Sequence, residues 1–274
     1  MKFISVAFFF LLVMSTVAQD RIGNVPMHRY AEREYSKTQI INGANSSIRP
    51  FLKEDFPDSI NNDFSLSENN IFSVRVLSDI EIGTDINNQT RDLAIRGGAG
   101  VGLSGNLKDR LKVVADYIYN YVDGPSYVDS MTSSLGVAPG FGLATKVGGA
   151  FVYQQLQGYL HFKANKFFAL QFGNGKNFIG DGYRSLLLSD VANNYPYFKI
   201  TTSVWNIKYV NLFTRQRHID RLGGESTRFK GKFTSTHYLD WSISKTVNLG
   251  LFESIVWQAQ DTLLNRGFDL NYIN

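Results

Sequence analysis

The segment from Leu111 to Tyr121 alternates between two kinds of side chain. One set is mainly apolar and ends in Tyr117, Tyr119 and Tyr121, whereas the other contains lysine, aspartate and asparagine. Because successive side chains of a strand point to opposite faces, this period of two predicts a β-strand with one apolar and one polar face. Tyrosines at the end of an apolar face are typical of the aromatic girdle of a membrane barrel, and they also occur at the edge of a soluble sandwich.

Similar alternation recurs along most of the chain after residue 71. The segments approach the ~9–11 residues that a tilted strand needs to cross a bilayer. The predicted strands cover residues 71–83, 91–104, 110–122, 148–163, 166–173, 197–204, 206–215, 233–244, 247–258 and 265–274. We therefore expect about ten antiparallel strands.

The predicted connections fall into two lengths. Tight ones lie at 105–109, 163–166, 205–206 and 244–247, and long ones at 84–90, 123–147, 174–196 and 216–232. Short and long connections alternate, as in outer-membrane barrels with tight periplasmic turns and long external loops. The sequence thus predicts an all-β protein with an antiparallel transmembrane β-barrel over residues 71–274. A periplasmic or extracellular β-sandwich is the alternative.

The N-terminal residues have a different composition. Residues 1–18 contain one lysine, an apolar run and small residues before Gln19, which is the pattern of a cleavable signal peptide. Residues 19–70 are polar and irregular, and we interpret them as a periplasmic or inward-folded segment with a short helix near residues 29–37. The predicted location is therefore the cell outer membrane.

A glycine-rich stretch between Phe168 and Ile200 contains a recognisable set of motifs. They are Phe172-Gly173, Gly180, Gly182, Arg184, the run Ser185 to Asp190 that includes Ser189, Ala192 and Tyr195-Pro196. Together with Arg266 to Tyr272, this pattern resembles the capsule-assembly Wzi-type outer-membrane proteins, in particular their gliding-motility RemB-like branch. The close likeness covers about 40 residues.

This resemblance implies an outer-membrane barrel that binds surface polysaccharide or takes part in adhesin traffic and gliding. Family members are longer, and the chain stops at Asn274 without the terminal aromatic residue of a closed barrel. We therefore expect either a small closed barrel or the N-terminal part of a longer one, since open strand edges in lipid are costly.

The residues of the motif also permit a structural interpretation. Gly180 and Gly182 allow backbone conformations that are closed to other residues. Ser185, Ser189 and Asp190 can cap backbone donors around a short helical turn of leucines. Pro196 favours extended structure before it. We expect a loop that folds over or into the barrel mouth, held by Arg184 and Asp190.

The positive charge is concentrated in one segment, residues 215–232. Its basic residues are Arg215, Arg217, Arg221, Arg228, Lys230 and Lys232, against Asp220 and Glu225. The alternation of connections places this segment outside, where arginine would attract anionic polysaccharide or lipopolysaccharide phosphates. The alternative is a solvated loop beside lipid headgroups. A nucleic-acid partner is not expected, because the remaining chain carries no basic stripe.

The sequence offers little for catalysis. The absence of cysteine excludes thiolate chemistry and Cys-ligated metals, and the four histidines lack metal-ligand spacing. His218 and Asp220 are the one candidate for a general base, in which the carboxylate would orient the imidazole. We therefore expect a non-enzymatic protein without cofactor or metal, with lipid, lipopolysaccharide, surface polysaccharide and surface adhesins or motility proteins as partners. A passive diffusion channel and an outer-membrane hydrolase are the alternatives.

Overall fold

The computed structural model describes residues 37, 47–51, 72–85, 93–107, 110–182, 184–221, 229–260 and 267–269, with only the backbone at 219–221. The predicted signal peptide and nearly all of the segment 19–70, including its predicted helix up to residue 36, lie outside these residues. The strands are β1 (Ile48–Arg49), β2 (Phe72–Gly83), β3 (Ala94–Leu107), β4 (Leu111–Asp123), β5 (Val137–Ala138), β6 (Gly142–Val147), β7 (Ala150–Lys163), β8 (Phe168–Gly175), β9 (Phe178–Ile179), β10 (Tyr195–Val204), β11 (Ile207–Arg221), β12 (Phe229–Ser242) and β13 (Asn248–Gln258), and the helix is α1 (Ser126–Leu135).

Nine long strands form one antiparallel sheet in the order β13-β12-β11-β10-β8-β7-β4-β3-β2. Each strand pairs with its neighbour in the meander, and β6 also pairs with the start of β7. The predicted all-β antiparallel class is confirmed, and nine of the predicted strands occur. The tenth, at 265–274, lies largely outside the described residues. Among the described strands, β2 and β13 are the edges, and no pairing joins them.

The tight connections have local causes. Between β10 and β11 the chain reverses through two residues, and Trp205 takes a positive φ of 53°. Asn165 Oδ1 accepts the backbone N–H of Phe168 at 2.9 Å in the turn before β8. Ser244 Oγ accepts that of Val247 at 3.1 Å before β13. Short polar side chains that bond the backbone in this way replace ladder hydrogen bonds at the reversals.

Three of the predicted long loops contain regular structure, and residues 174–196 hold the short strand β9. Residues 123–147 hold α1, β5 and β6. The predicted loop 216–232 is wrong over much of its length, because β11 continues to Arg221 and β12 begins at Phe229, with an irregular register between Arg217 and Arg221. Charged side chains suggested a loop there, but a hairpin that projects beyond the sheet can carry them in strand conformation.

The sheet buries its polar face and exposes its apolar face. On β4, Asp116 and Asn120 are 1% and 0% exposed, whereas Tyr117, Tyr119 and Tyr121 are 38–48% exposed. We call these the inner and the outer face. The outer side chains of β2, which are Phe72, Val74, Val76, Ile80 and Ile82, are 58–75% exposed. The described strands do not form two stacked layers around these tyrosine rings.

An ion pair crosses an entire strand on the inner face. Arg75 on β2 donates to Asp116 on β4 at 3.0 Å, and both side chains are buried. The residue between them on β3 is Gly102, where an added Cβ would lie 2.6 Å from Asp116 Oδ1. The glycine therefore provides the space in which the two charges meet.

Short segments pack against the inner face farther along the sheet. β1 pairs with β9, and Ile48 and Ile179 join a buried cluster with Tyr195, Val210 and Tyr238. The hydrophobic core of the described residues therefore lies on the inner face beneath β10 to β12. No helix within the described ranges has the length and apolar character that a membrane span requires.

Candidate functional site

A cavity of about 790 Å³ opens at the end of the sheet where the long connections emerge. One wall is formed by β5, β6 and the start of β7, and the opposite wall is the projecting hairpin of β11 and β12. Residues 191–196 form the base. The cavity therefore joins elements that are distant in sequence and lie at one end of the sheet.

The lining is positively charged. Arg215, Arg217 and Lys232 line the cavity beside His218, and none of the described lining residues is an aspartate or glutamate. Arg215 and Arg217 are exposed, and Lys232 is half-buried. Cations without acidic neighbours attract anions, and guanidinium groups can bind planar carboxylates through two hydrogen bonds.

Three of the six predicted anion-binding residues thus line the cavity, Arg215 and Arg217 from the outer-face positions of β11 and Lys232 from an inner-face position of β12. Lys230 lies on β12, exposed and outside the lining. Arg221 is described only by its backbone, and Arg228 lies outside the described residues. Polar residues that sequence reasoning missed, Asn193 and Gln154, line the cavity on other elements. No local pattern distinguishes them, because the meander alone brings them near the hairpin.

Lys176, between β8 and β9, bonds to the β5–β6 wall of the cavity. Its Nζ donates to the carbonyl oxygen of Gly140 at 3.0 Å. Burial lowers the pKa of Lys176, and the nearby Asp190 carboxylate acts in the opposite direction. Gly142 has a φ of +97° and leaves no room for a Cβ beside the Asn193 side chain. The cavity is therefore shaped by contacts between its walls.

The predicted signature loop folds onto the inner face. Gly180 has a φ of +132°. Its N–H donates to the Ser47 carbonyl oxygen at 2.9 Å, and its own carbonyl oxygen accepts from Arg49 Nη1 at 2.9 Å. Ser185 Oγ donates to the Ile179 carbonyl and accepts the N–H of Leu187 at 3.0 Å. Ser185 therefore bonds a local backbone donor, but in a bend and not at a helical turn.

The predicted helical turn of leucines is wrong. Leu188 instead forms a β-bridge with Ile179, a contact made across the loop that outweighs local helix preference. Gly182 and Arg184 are exposed, and Ser189 lies beside Asp190 with 3.5 Å between their oxygens. Pro196 is the second residue of β10, in agreement with the predicted return to extended structure.

A short N-terminal segment holds this loop against β12. The N–H of Ser47 donates to Asp240 Oδ2 at 3.0 Å, and its hydroxyl lies 2.6 Å from the Tyr238 hydroxyl. The Arg49 guanidinium lies over the rings of Phe51 and Phe178. Ser47 to Phe51 and the signature loop thus cover part of the inner face together.

The histidines lie in different places. His161 is buried on the inner face, His218 lines the cavity, and His237 lies on the outer face. His28 and the side chain of Asp220 lie outside the described residues. The predicted pairing of His218 with Asp220 therefore stays a prediction. In the described part of the chain, no three His, Asp or Glu side chains gather as a metal site would require.

Comparison with protein-family models, with curated proteins and with solved structures found no match. The resemblance to Wzi-type proteins therefore depends on the sequence motifs alone. The function must be inferred from the inverted sheet and the basic cavity.

Proposed function

We propose that this chain is an outer-membrane β-barrel protein whose basic cavity binds acidic surface polysaccharide without catalysing a reaction there. The observation that carries the proposal is the position of Arg215, Arg217 and Lys232 around one cavity, at the long-loop end of a sheet with an apolar exterior. No aspartate or glutamate is among the described residues that line this cavity. Capsule binding or gliding-adhesin organisation, as the Wzi-type resemblance implies, fits this arrangement.

The membrane location is supported by the inverted burial of the sheet. Soluble proteins rarely expose apolar patches larger than a few hundred Å². Here the outer face stays apolar over neighbouring strands, including Val76, Val101 and Leu160, each more than 40% exposed. Removing such surface from water is favourable by about 25 cal/mol per Å², so a hydrocarbon environment stabilises this face.

The inner face supports a binding protein rather than an open channel. Ser47 to Phe51 and the signature loop lie across it and are held by Asp240, Tyr238 and the β1–β9 pairing. A pore needs a continuous polar path along its axis. We therefore expect reconstituted protein to conduct little current in planar bilayers, and a large stable conductance would favour the diffusion channel.

The size and chemistry of the cavity favour a short stretch of acidic sugar. A volume of about 790 Å³ lies within the range of ligand pockets, roughly 300–1,000 Å³. Two arginines can bind carboxylates bidentately, while the Asn193 amide can bond to hydroxyl groups. The same cations would also accept lipopolysaccharide phosphates, which binding measurements can distinguish.

The test is a titration of purified protein in detergent with uronic-acid oligosaccharides, using neutral dextran oligosaccharides as the comparison ligand. The variant Arg217→Glu/Lys232→Glu should weaken acidic oligosaccharide binding at least about tenfold, which is 1.4 kcal/mol. Lys245→Glu, in the exposed turn before β13 at the opposite end, is the control for a change in charge. Equal affinity of the cavity variant, or equal affinity for dextran, would contradict the proposal. Tighter binding of lipopolysaccharide would identify phosphate as the ligand chemistry.

A cellular test addresses the biological role. Deleting the gene should reduce retention of surface polysaccharide if the protein organises capsule, and should reduce surface spreading if it serves gliding adhesins. Complementation with the Arg217→Glu/Lys232→Glu variant should fail, and complementation with Lys245→Glu should succeed. Unchanged polysaccharide and unchanged spreading in the deletion strain would count against both roles.

A further inference from the structure

A group of polar side chains interrupts the apolar outer face at β11 and β12. Ser235 and His237 lie two residues apart on β12, and Asn211 is opposite His237 on β11. Ser235 Oγ is 3.1 Å from His237 Nε2, and His237 Nδ1 is 2.6 Å from Asn211 Oδ1. The Tyr209 hydroxyl lies 3.2 Å from the same Nδ1.

The orientation of the Asn211 amide assigns the role of each ring nitrogen. An amide oxygen can only accept, so His237 Nδ1 carries the hydrogen and donates it to Asn211. Nε2 is then unprotonated and accepts the hydroxyl hydrogen of Ser235. A hydroxyl bonded to a neutral imidazole, which a third group orients, is the arrangement that activates serine as a nucleophile.

We propose that Ser235, His237 and Asn211 form an acyl-ester hydrolase site on the outer face. Ser235 is the nucleophile, His237 is the general base, and Asn211 positions the imidazole. This activity goes beyond the polysaccharide binding proposed for the cavity, and its lipid substrate rests on the proposed membrane location.

The position of the site indicates the class of substrate. Ser235 is paired in register with Phe213, and Arg215 is two residues farther along the same face of β11. An antiparallel strand rises about 3.4 Å per residue, so Ser235 lies about 7 Å from the level of the Arg215 backbone. If Arg215 marks the headgroup region, Ser235 reaches the depth of the carboxylic ester bonds of a glycerolipid.

Aromatic side chains around the site suit an acyl chain. Phe213 meets the His237 ring edge-on with centroids 6.3 Å apart, and Phe268 lies 6.0 Å from Phe213 and 5.8 Å from Phe233. Ser235 is fully buried beside them, whereas Phe268 is 43% exposed. Substrate would therefore reach the hydroxyl by displacing Phe268 and Phe213.

The reaction is balanced without a metal or a redox partner. Ser235 Oγ forms a bond to the ester carbonyl carbon while its proton moves to His237 Nε2. The ester C–O bond breaks, and the leaving alcohol oxygen takes that proton. Water then attacks the acyl-Ser235 ester, gives a proton to His237 Nε2, and releases the carboxylic acid as Ser235 Oγ recovers the proton.

The test uses full-length protein in detergent micelles, a fluorophosphonate probe and peptide mass spectrometry. Wild type should acquire one phosphonyl adduct on Ser235, and Ser235→Ala should acquire none there. His237→Ala should slow labelling and hydrolysis of p-nitrophenyl acyl esters at least about 100-fold. Phe268→Ala should speed labelling. The matched control is Ser254→Ala, which removes an inner-face hydroxyl bonded to Thr236 at 2.8 Å and should leave both rates unchanged.

Several outcomes would overturn the site. One is folded wild-type protein without an adduct on Ser235, and another is ester hydrolysis that persists in Ser235→Ala. A third is a Ser235→Ala variant that loses thermal stability while wild type is never labelled, as expected if the hydroxyl only completes a cross-strand hydrogen bond. Labelling does not depend on location, so an adduct on protein that fractionates as soluble would retain the triad and refute the membrane proposal. Membrane-integrated protein without an adduct would refute the hydrolase site and retain the membrane proposal.

Discussion

The inner-face ion pair allows a quantitative test of how the polar face is held. Asp116 accepts from Arg75 at 3.0 Å and from Gln157 at 3.2 Å, and its side chain is 1% exposed. Hydrogen bonds to charged groups contribute about 1.5–3 kcal/mol each. Removing one member of a buried ion pair costs about 3–5 kcal/mol, because the remaining charge stays in a poorly solvated site.

We therefore expect Asp116→Ala to lower the free energy of unfolding by about 3–5 kcal/mol. Replacing both charges by apolar residues, as in Arg75→Met/Asp116→Leu, should recover most of that loss, since no charge remains buried. Urea unfolding in phospholipid vesicles, followed by tryptophan fluorescence, measures both values.

The matched control is the ion pair between Arg96 and Glu81 on the same face, 2.8 Å long, in which Glu81 is 64% exposed. Exposed pairs contribute about 0–1 kcal/mol, so Glu81→Ala should have little effect. A loss below about 1 kcal/mol for Asp116→Ala would refute the reasoning, because it would show that water solvates Arg75 on the inner face. A double variant with additive losses would refute it as well.

Four further substitutions test other parts of the account. Tyr119→Arg on the outer face should destabilise the protein in lipid by about 2–4 kcal/mol, while Gln155→Arg on the inner face should cost less than about 1 kcal/mol in the same urea titration. Gly102→Val should cost about 1–3 kcal/mol, measured by the same method, because its side chain would enter the space occupied by Asp116 and Arg75. Since burial lowers the pKa of Lys176, the folded state binds fewer protons there than the unfolded state, so stability should rise with pH as it approaches the ordinary value of 10.5, and Lys176→Met should remove that slope in pH-dependent unfolding.

The sequence predicted the features that local chemistry determines. The alternation from Leu111 to Tyr121 identified both faces of β4, and short polar or turn-forming residues located the reversals at Asn165, Trp205 and Ser244. Each of these signals acts within a few residues, where side-chain period and turn hydrogen bonds decide the conformation.

Features that depend on distant contacts were not predicted. The Ser47–Asp240 hydrogen bond joins residues 193 positions apart, and the Arg75–Asp116 pair depends on a glycine in the intervening strand. The leucines at 186–188 looked helical, yet the bridge from Leu188 to Ile179 decides their conformation. These contacts depend on the register in which strands pair, and no short sequence motif specifies that register.

Ser235 and His237 show the same limit within one strand. A Ser-x-His pair in an alternating segment places both side chains on one face, which the sequence does reveal. Asn211 completes the group only because β11 and β12 pair in one particular register. A sequence search would have to compare neighbouring strands to find such a site.

The central claim is that the outer face of this sheet contacts lipid hydrocarbon while the inner face does not. The chain contains no cysteine, so single cysteines at positions 117 to 121 can each carry a nitroxide spin label in phospholipid vesicles. Collision rates with oxygen, which concentrates in hydrocarbon, should be high at Tyr117, Tyr119 and Tyr121 and low at Ile118 and Asn120. Collisions with a water-soluble nickel chelate should be rare at the three tyrosine positions. Frequent nickel collisions at those positions, or rates without a period of two, would contradict the account.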